Sequence, residues 1–200
     1  MTAIDPSVAC ILLAAGSARR FGGGKLFAQL GGQPLWEWAA ERLEQAGFES
    51  RYLVVDPAIE AHPTRSGWDR VENPFADEGI ASSIRAGVQA ASDQSRIVIA
   101  LADMPFIDSA HFTALAHSDG VIFTRYPDGR PGCPAAFPAS AFISLLDLRG
   151  DRGAAALCST LGGVFVMPPD SQLETFDIDK TADLSEAERI LRHNFRPVFD

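Results

Sequence analysis

Three clusters in this sequence carry residue types suited to phosphate and metal chemistry. The first is Leu13-Ala-Ala-Gly-Ser-Ala-Arg-Arg-Phe-Gly-Gly-Gly-Lys25. Its small residues and glycines let a backbone approach a ligand closely and turn N–H groups toward phosphate oxygens. Leu13, Ala14, Ala15 and Gly16 are the expected nucleotide-holding backbone, and Arg20 and Lys25 add positive charge where a triphosphate would lie. The loop is not of the Gly-x4-Gly-Lys-[Ser/Thr] type, because Leu26 follows Lys25, and it also lacks Gly-x-Gly-x-x-Gly. The second cluster is Leu101-Ala-Asp-Met-Pro105, where Asp103 ends an apolar run and Pro105 biases Met104 to extended backbone. An aspartate so placed is suited to Mg2+, which takes a few hard oxygen ligands and shares substrate phosphates. The third runs from Asn73 through Gly79 to Ser82 and Ser83, a turn entering a helix start. Its hydroxyls and free helix N–H groups suit a base or a ribose, and would equally serve as helix caps. Near the end, Asp177-Ile-Asp179 offers paired carboxylates. Either aspartate is placed to complete a cation site with Asp103, and Asp179 is the preferred one; alone, such a pair is an ordinary solvated strand edge.

These clusters need strands to present them. Val8 to Ala14 is a continuous apolar run, as expected for a strand buried on both faces. Strands are also expected at Arg51–Val55, Ile97–Leu101, Val121–Thr124 and Val164–Met167. Helical spacing marks Leu35 to Ala46, with Pro34 at its start and Gly47 as its stop. Further helices are expected at Ile80–Ala91, from Asp108 as N-cap through Ala116, at Ala139–Leu148, Arg152–Leu161 and Leu184–Arg192. Tyr126 to Pro134, with three prolines and two glycines, reads as turns. Alternating strands and helices predict a single α/β domain over residues 1–200. Its architecture should be a Rossmann-like three-layer sandwich with a mostly parallel central sheet. In such sheets ligands sit beyond the carboxyl ends of the strands, where the first two clusters fall.

Composition narrows the class. The 200 residues hold 17 Lys plus Arg against 26 Asp plus Glu, a net charge of −9. That balance argues against nucleic acid as a partner, which needs a clustered basic face. No apolar run approaches a membrane span, and Val8 to Ala15 lacks the basic segment that opens a signal peptide. Three cysteines without paired or metal spacing suit a reducing, cytoplasmic setting, with Cys10 and Cys158 expected as buried thiols. The four histidines show no nucleophile or zinc pattern.

Taken in order, Leu13–Lys25, Asn73–Gly87, Leu101–Pro105, Gly132–Phe137, Gly150–Ala154 and Asp177–Asp179 resemble the nucleotidyltransferases of molybdenum cofactor maturation. Leu-Ala-Ala-Gly is similar to the cytidylyltransferase branch. The resemblance implies a nucleotide-diphospho-sugar transferase type of fold and a Mg2+-bound NTP, with CTP as the nucleotide. A molybdenum–pterin cofactor phosphate would attack the α-phosphate and release pyrophosphate. It gives Lys25, Arg20 and Asp103 the catalytic roles and Asp103 with Asp179 the metal. Asn73, Gly79, Ser82 and Ser83 would read the base, and Gly132 and Pro134 would face the acceptor. A molybdoenzyme would receive the product. Three other readings stay open: transfer to another phosphorylated acceptor, a NAD(P)H-dependent oxidoreductase of the same fold, and a non-catalytic cofactor carrier.

Overall fold

A computed structural model describes residues 3–16, 21, 23–59, 63–161 and 164–194. Alternation in the first strand, β1 (Val8–Leu13), organises everything around it. Val8, Cys10, Leu12 and Ala14 enter one apolar cluster and Ala9, Ile11, Leu13 and Ala15 the other. Successive strand side chains point to opposite faces, so a strand apolar at every position must be covered on both. On one face lie α1 (Leu35–Ala46) and α3 (Ser109–His117), contributing Trp36, Leu43, Phe112 and Leu115. On the other lie α2 (Ile80–Ala90) and the short α4 (Phe142–Leu146), contributing Ile84, Val88, Phe142 and Leu145.

Two short strands, β2 (Gln29–Leu30) and β3 (Gln33–Pro34), form a separate hairpin ahead of α1. The main sheet continues with β4 (Ser50–Val55), β5 (Asp69–Glu72), β6 (Arg96–Leu101), β7 (Val121–Arg125), β8 (Pro131–Pro138) and β9 (Val164–Met167). Its seven strands run β5-β4-β1-β6-β8-β7-β9. All pairings are parallel except those of β8, which lies antiparallel between β6 and β7. This is the nucleotide-diphospho-sugar transferase arrangement, with helices on both faces of a mostly parallel sheet. A last helix, α5 (Thr181–Asn194), packs Ala187 and Leu191 with Ile178 against Leu30 and Leu35. No helix among the described residues is long and apolar enough to cross a membrane.

Four expectations are corrected. The Tyr126–Pro134 stretch is a turn only to Arg130, after which β8 enters the sheet. Its prolines fit because Pro131 and Pro138 stand at its ends. Cys133 and Pro134 are the extra residues of a bulge, since Phe123 pairs with Ala135 and Thr124 with Gly132. The polar edge strand β5 has only Val71 half-buried among exposed Asp69, Arg70 and Glu72, which left no apolar alternation to read. The helices expected at 139–148 and 152–161 are reduced to α4 with a preceding 3-10 turn (Ala139–Ala141) and to a 3-10 turn at Ala154–Leu157. Cys10 is buried as expected, whereas Cys158 is only half-buried.

Candidate active site

At the carboxyl end of β1 the chain is tied to both neighbouring strands. The Ala14 N–H donates to the Val54 carbonyl at 2.9 Å, and the Ala102 N–H donates to the Leu13 carbonyl at 3.2 Å. Residues 17–20 and 22 lie outside the described part, and the expected phosphate ligand Arg20 falls among them. Gly23 and Gly24 take φ of 96° and 63°, left-handed backbone that glycine adopts readily, just ahead of Lys25 at the strand ends. There the Lys25 Nζ donates to Asp103 Oδ2 at 2.6 Å and lies 3.6 Å from Asp179 Oδ1.

Asp103 is held by what surrounds it. Met104 after it is buried, and the Asp103 carbonyl accepts the Ile178 N–H at 3.0 Å. Ile178 is fully buried in the α5 cluster, so it anchors Asp177 and Asp179 beside Asp103. Asp183 Oδ2 in turn accepts the N–H groups of Asp179 and Lys180, at 2.9 and 2.7 Å. The cluster therefore holds three carboxylates beside one lysine. Its field is felt by its neighbours. Burial first, then the charges of Asp179 and Asp103, hold the Asp177 carboxyl above the usual carboxylate range. Burial, followed by the Asp103 charge, pushes the Cys133 thiol up to about 12. Burial is also the main cause that raises the Tyr126 hydroxyl, with Cys133, Asp177 and Asp103 adding to it.

Asp103 Oδ1 is buried and has no hydrogen-bond partner among the described residues. A buried carboxylate oxygen left unpaired is costly, and a cation is the group that would satisfy it. Among the described residues no three acidic, histidine or cysteine groups converge as a closed metal cage. Mg2+ does not require one, because one or two carboxylates with phosphate oxygens and water complete its shell. Asp103 and Asp179 fit that role, with Asp177 adjacent.

A cavity of about 250 Å³ opens beside this cluster. Of the expected residues it is lined by Leu13, Ala15, Gly16, Lys25, Gly79, Ser83 and Asp103. Ala14 is buried behind it. Asn73 is also buried: its Nδ2 donates to Ser82 Oγ at 2.9 Å and Ser83 Oγ at 3.0 Å, and its Oδ1 accepts the Phe75 N–H. Ser82 donates onward to the Gly79 carbonyl at 2.8 Å. Asn73 and Ser82 thus brace the entry to α2, and of the three only Ser83 reaches the cavity. Gly132 and Pro134 are buried in β8, with the Tyr126 ring lying where a Gly132 side chain would be, and neither lines the cavity. Asp179 reaches the site through Lys25 rather than as part of its wall.

Sequence reasoning missed Leu26, Ala76, Ile80, Leu101 and Asp151 as lining residues. Asp151 is the informative omission. Gly79 has φ 104°, and a Cβ on it would lie 2.5 Å from Asp151 Oδ1 and 2.6 Å from the Gly150 carbonyl. The Gly150 carbonyl accepts the Ala81 N–H at 3.1 Å, fixing the 150–151 turn on the start of α2. The glycines of Gly150-Asp-Arg-Gly153 were the available signal.

A cavity at the ends of parallel strands, with a lysine and an aspartate facing a glycine-lined turn, defines an α/β domain built to handle nucleotides. Family comparison makes the class specific: residues 10–164 match the MobA-like NTP transferase domain, and the chain belongs to that nucleotidyltransferase family. The purine catabolism protein PucB of Bacillus subtilis is 27% identical over 208 aligned positions, covering 94% of this chain and 98% of PucB. The 2-C-methyl-D-erythritol 4-phosphate cytidylyltransferase of Rhodopirellula baltica is 30% identical over 115 residues. That match takes in 48% of this chain and about half, 47%, of the relative. Among solved structures, the nucleotidyl transferase Mth528 from Methanothermobacter thermautotrophicus superposes with TM-score 0.79 at 22% identity, over 94% of this chain and 99% of that one. A manganese complex of Rv0371c from Mycobacterium tuberculosis gives 0.71 at 23%, over 94% and 100%. The molybdopterin-guanine dinucleotide biosynthesis protein A of Archaeoglobus fulgidus gives 0.70 at 20%, over 92% and 99%.

Proposed function

We propose that this chain transfers CMP from CTP to the phosphate of a molybdenum–pterin cofactor, releasing pyrophosphate. The observation that carries the reading is the Lys25–Asp103–Asp179 cluster, whose Asp103 Oδ1 has no hydrogen-bond partner among the described residues, beside a cavity of about 250 Å³. An acceptor phosphate oxygen would attack the α-phosphorus, forming a P–O bond as the bond to the β-phosphate oxygen breaks. The acceptor is already anionic near neutral pH, so no general base is required. The protein's work is positioning and charge neutralisation. Backbone at Ala15 and Gly16 would hold the nucleotide, with Lys25, and Arg20 from the loop ahead of it, set against the phosphates. Mg2+ held by Asp103 and Asp179 would add charge neutralisation at the same oxygens. Gly79 and Ser83 would meet the nucleoside, and the Gly132–Pro134 segment would support the acceptor from behind Tyr126.

The chain would work as one domain in a reducing cytoplasm, passing product to a molybdoenzyme; its three thiols are free. Transfer to another phosphorylated acceptor is the second reading, favoured by the likeness to a cytidylyltransferase that is named for an erythritol phosphate. A thermal-shift panel of the four NTPs and NADPH, each with and without Mg2+, tests nucleotide use. Mg2+-dependent protection by CTP supports the proposal, and protection by NADPH alone rejects it.

A further inference from the structure

The geometry points to Asp151 as the residue that selects an amino-bearing nucleobase and rejects uracil. This inference rests on the nucleotidyl-transfer reading and deepens it. The cavity has two chemically different ends. Lys25, paired with Asp103 and Asp179, stands on the side of β1 and β6, whereas Asp151 stands against Gly79 at the start of α2. A triphosphate carrying Mg2+ would sit with Lys25, Asp103 and Asp179, whereas the Asp151 carboxylate, which makes no ion pair among the described residues, repels phosphate. The neutral nucleoside is what remains to face Asp151.

Asp151 is both held and uncommitted. The hydrogen bond from Ala81 N–H to the Gly150 carbonyl fixes the turn, and the missing Gly79 side chain makes room for Oδ1. Arg85 binds the Leu148 carbonyl and Glu78, Arg149 binds the carbonyls of Leu146 and Leu148, and the adjacent Arg152 makes no ion pair with Asp151. Among the described residues no hydrogen bond or ion pair takes up the Asp151 carboxylate.

Its chemistry sets the preference. An ionised carboxylate only accepts hydrogen bonds, so it pairs with an exocyclic amino group and faces a carbonyl oxygen unfavourably. Ser83, also in the wall, accepts from Asn73 and keeps its O–H proton to donate. An acceptor and a donor on one wall match the amino group and adjacent ring nitrogen of cytosine. Uracil presents a carbonyl and an N–H in those places.

The test is calorimetric binding of CTP and UTP with Mg2+ to the full chain, to Asp151→Asn and to Asp151→Ala. Wild type should favour CTP over UTP by about 10- to 100-fold, the scale of one good base-edge pairing. Asp151→Asn, whose amide can donate to the uracil carbonyl, should narrow that ratio about tenfold by gaining UTP affinity. Asp151→Ala should lose CTP affinity without gaining UTP. Equal binding of CTP and UTP by wild type overturns the inference, as does a parallel loss of both in the variants, which would give Asp151 to the ribose or to the fold. If wild type binds no NTP, the nucleotidyl-transfer reading falls and the inference with it.

Discussion

Replacing Lys25 by Met removes the one ammonium from a group of three carboxylates while keeping most of the side-chain stem. The Lys25 and Asp103 side chains are only 11% and 22% exposed, and their contact is 2.6 Å, so little solvent screens the pair. A hydrogen bond between charged groups in such a setting is worth roughly 1.5–3 kcal/mol, and about 2 kcal/mol is a fair central figure. Among the described residues Asp103 Oδ1 already has no hydrogen-bond partner, so the variant leaves neither oxygen of that carboxylate with one. For a domain of this length each kcal/mol moves the Tm by about 2–4 °C, so a fall of about 4–8 °C is expected in EDTA. Mg2+ supplies the second arm. In wild type a cation must compete with the ammonium for Asp103, whereas Lys25→Met removes that competitor. Millimolar Mg2+ without nucleotide should therefore raise the Tm of the variant more than that of wild type. A fall under about 1 °C in EDTA, or equal Mg2+ shifts in the two proteins, refutes the role given to the Lys25–Asp103 pair.

Other expectations follow from particular contacts. Gly79→Ala at φ 104° places a Cβ 2.5 Å from Asp151 Oδ1 and 2.6 Å from the Gly150 carbonyl, whose backbone cannot yield cheaply. It should cost about 1–3 kcal/mol in urea denaturation and abolish nucleotide protection. Gly132→Ala drives a methyl into the Tyr126 ring, and a loss of about 1–3 kcal/mol should be partly relieved by adding Tyr126→Leu. His111 is buried, and burial holds it below its ordinary value of 6.5. Thr124 donates its only hydroxyl proton to the Pro134 carbonyl, so His111 Nε2 must be the donor to Thr124. The unfolded chain takes up the proton first, so this contribution to stability is complete above about pH 6.5 and drains as pH falls toward the native value. His111→Gln should flatten the loss of stability measured between about pH 7 and about pH 5.5, and an unchanged slope would remove His111 as its source.

The parts of the molecule set by apolar continuity were legible in the sequence. β1 is buried at every residue from Val8 to Leu13, and such a run has no place except between two helical layers. Asp108 caps α3 through the Ala110 N–H, and Gly47 ends α1 at φ 94°, both short-range effects that residue type announces. The position of Asp103 was legible for the same reason, because it closely follows an apolar strand. What stayed hidden depends on partners distant in the chain. β8 looks like a turn because three prolines precede Ala135, and only its pairing with β6 and β7 shows that two of its residues are bulged out. Asn73 has the chemistry of a base reader, yet Ser82 and Ser83 fold back onto it and consume its donors. Asp151 becomes part of the cavity only because Gly79, 72 positions earlier by the numbering, lacks a side chain.

The central claim is phosphoryl chemistry centred on Asp103. The direct measurement is pyrophosphate release, followed by phosphorus NMR, from CTP and Mg2+ with a phosphorylated molybdenum–pterin acceptor. Wild type should release pyrophosphate and form the cytosine dinucleotide. Folded Asp103→Asn should be slower by roughly a thousandfold, the scale seen when one transition-state charge partner is lost. Turnover by Asp103→Asn at the wild-type rate, or no pyrophosphate from wild type with any NTP and acceptor phosphate, would contradict it.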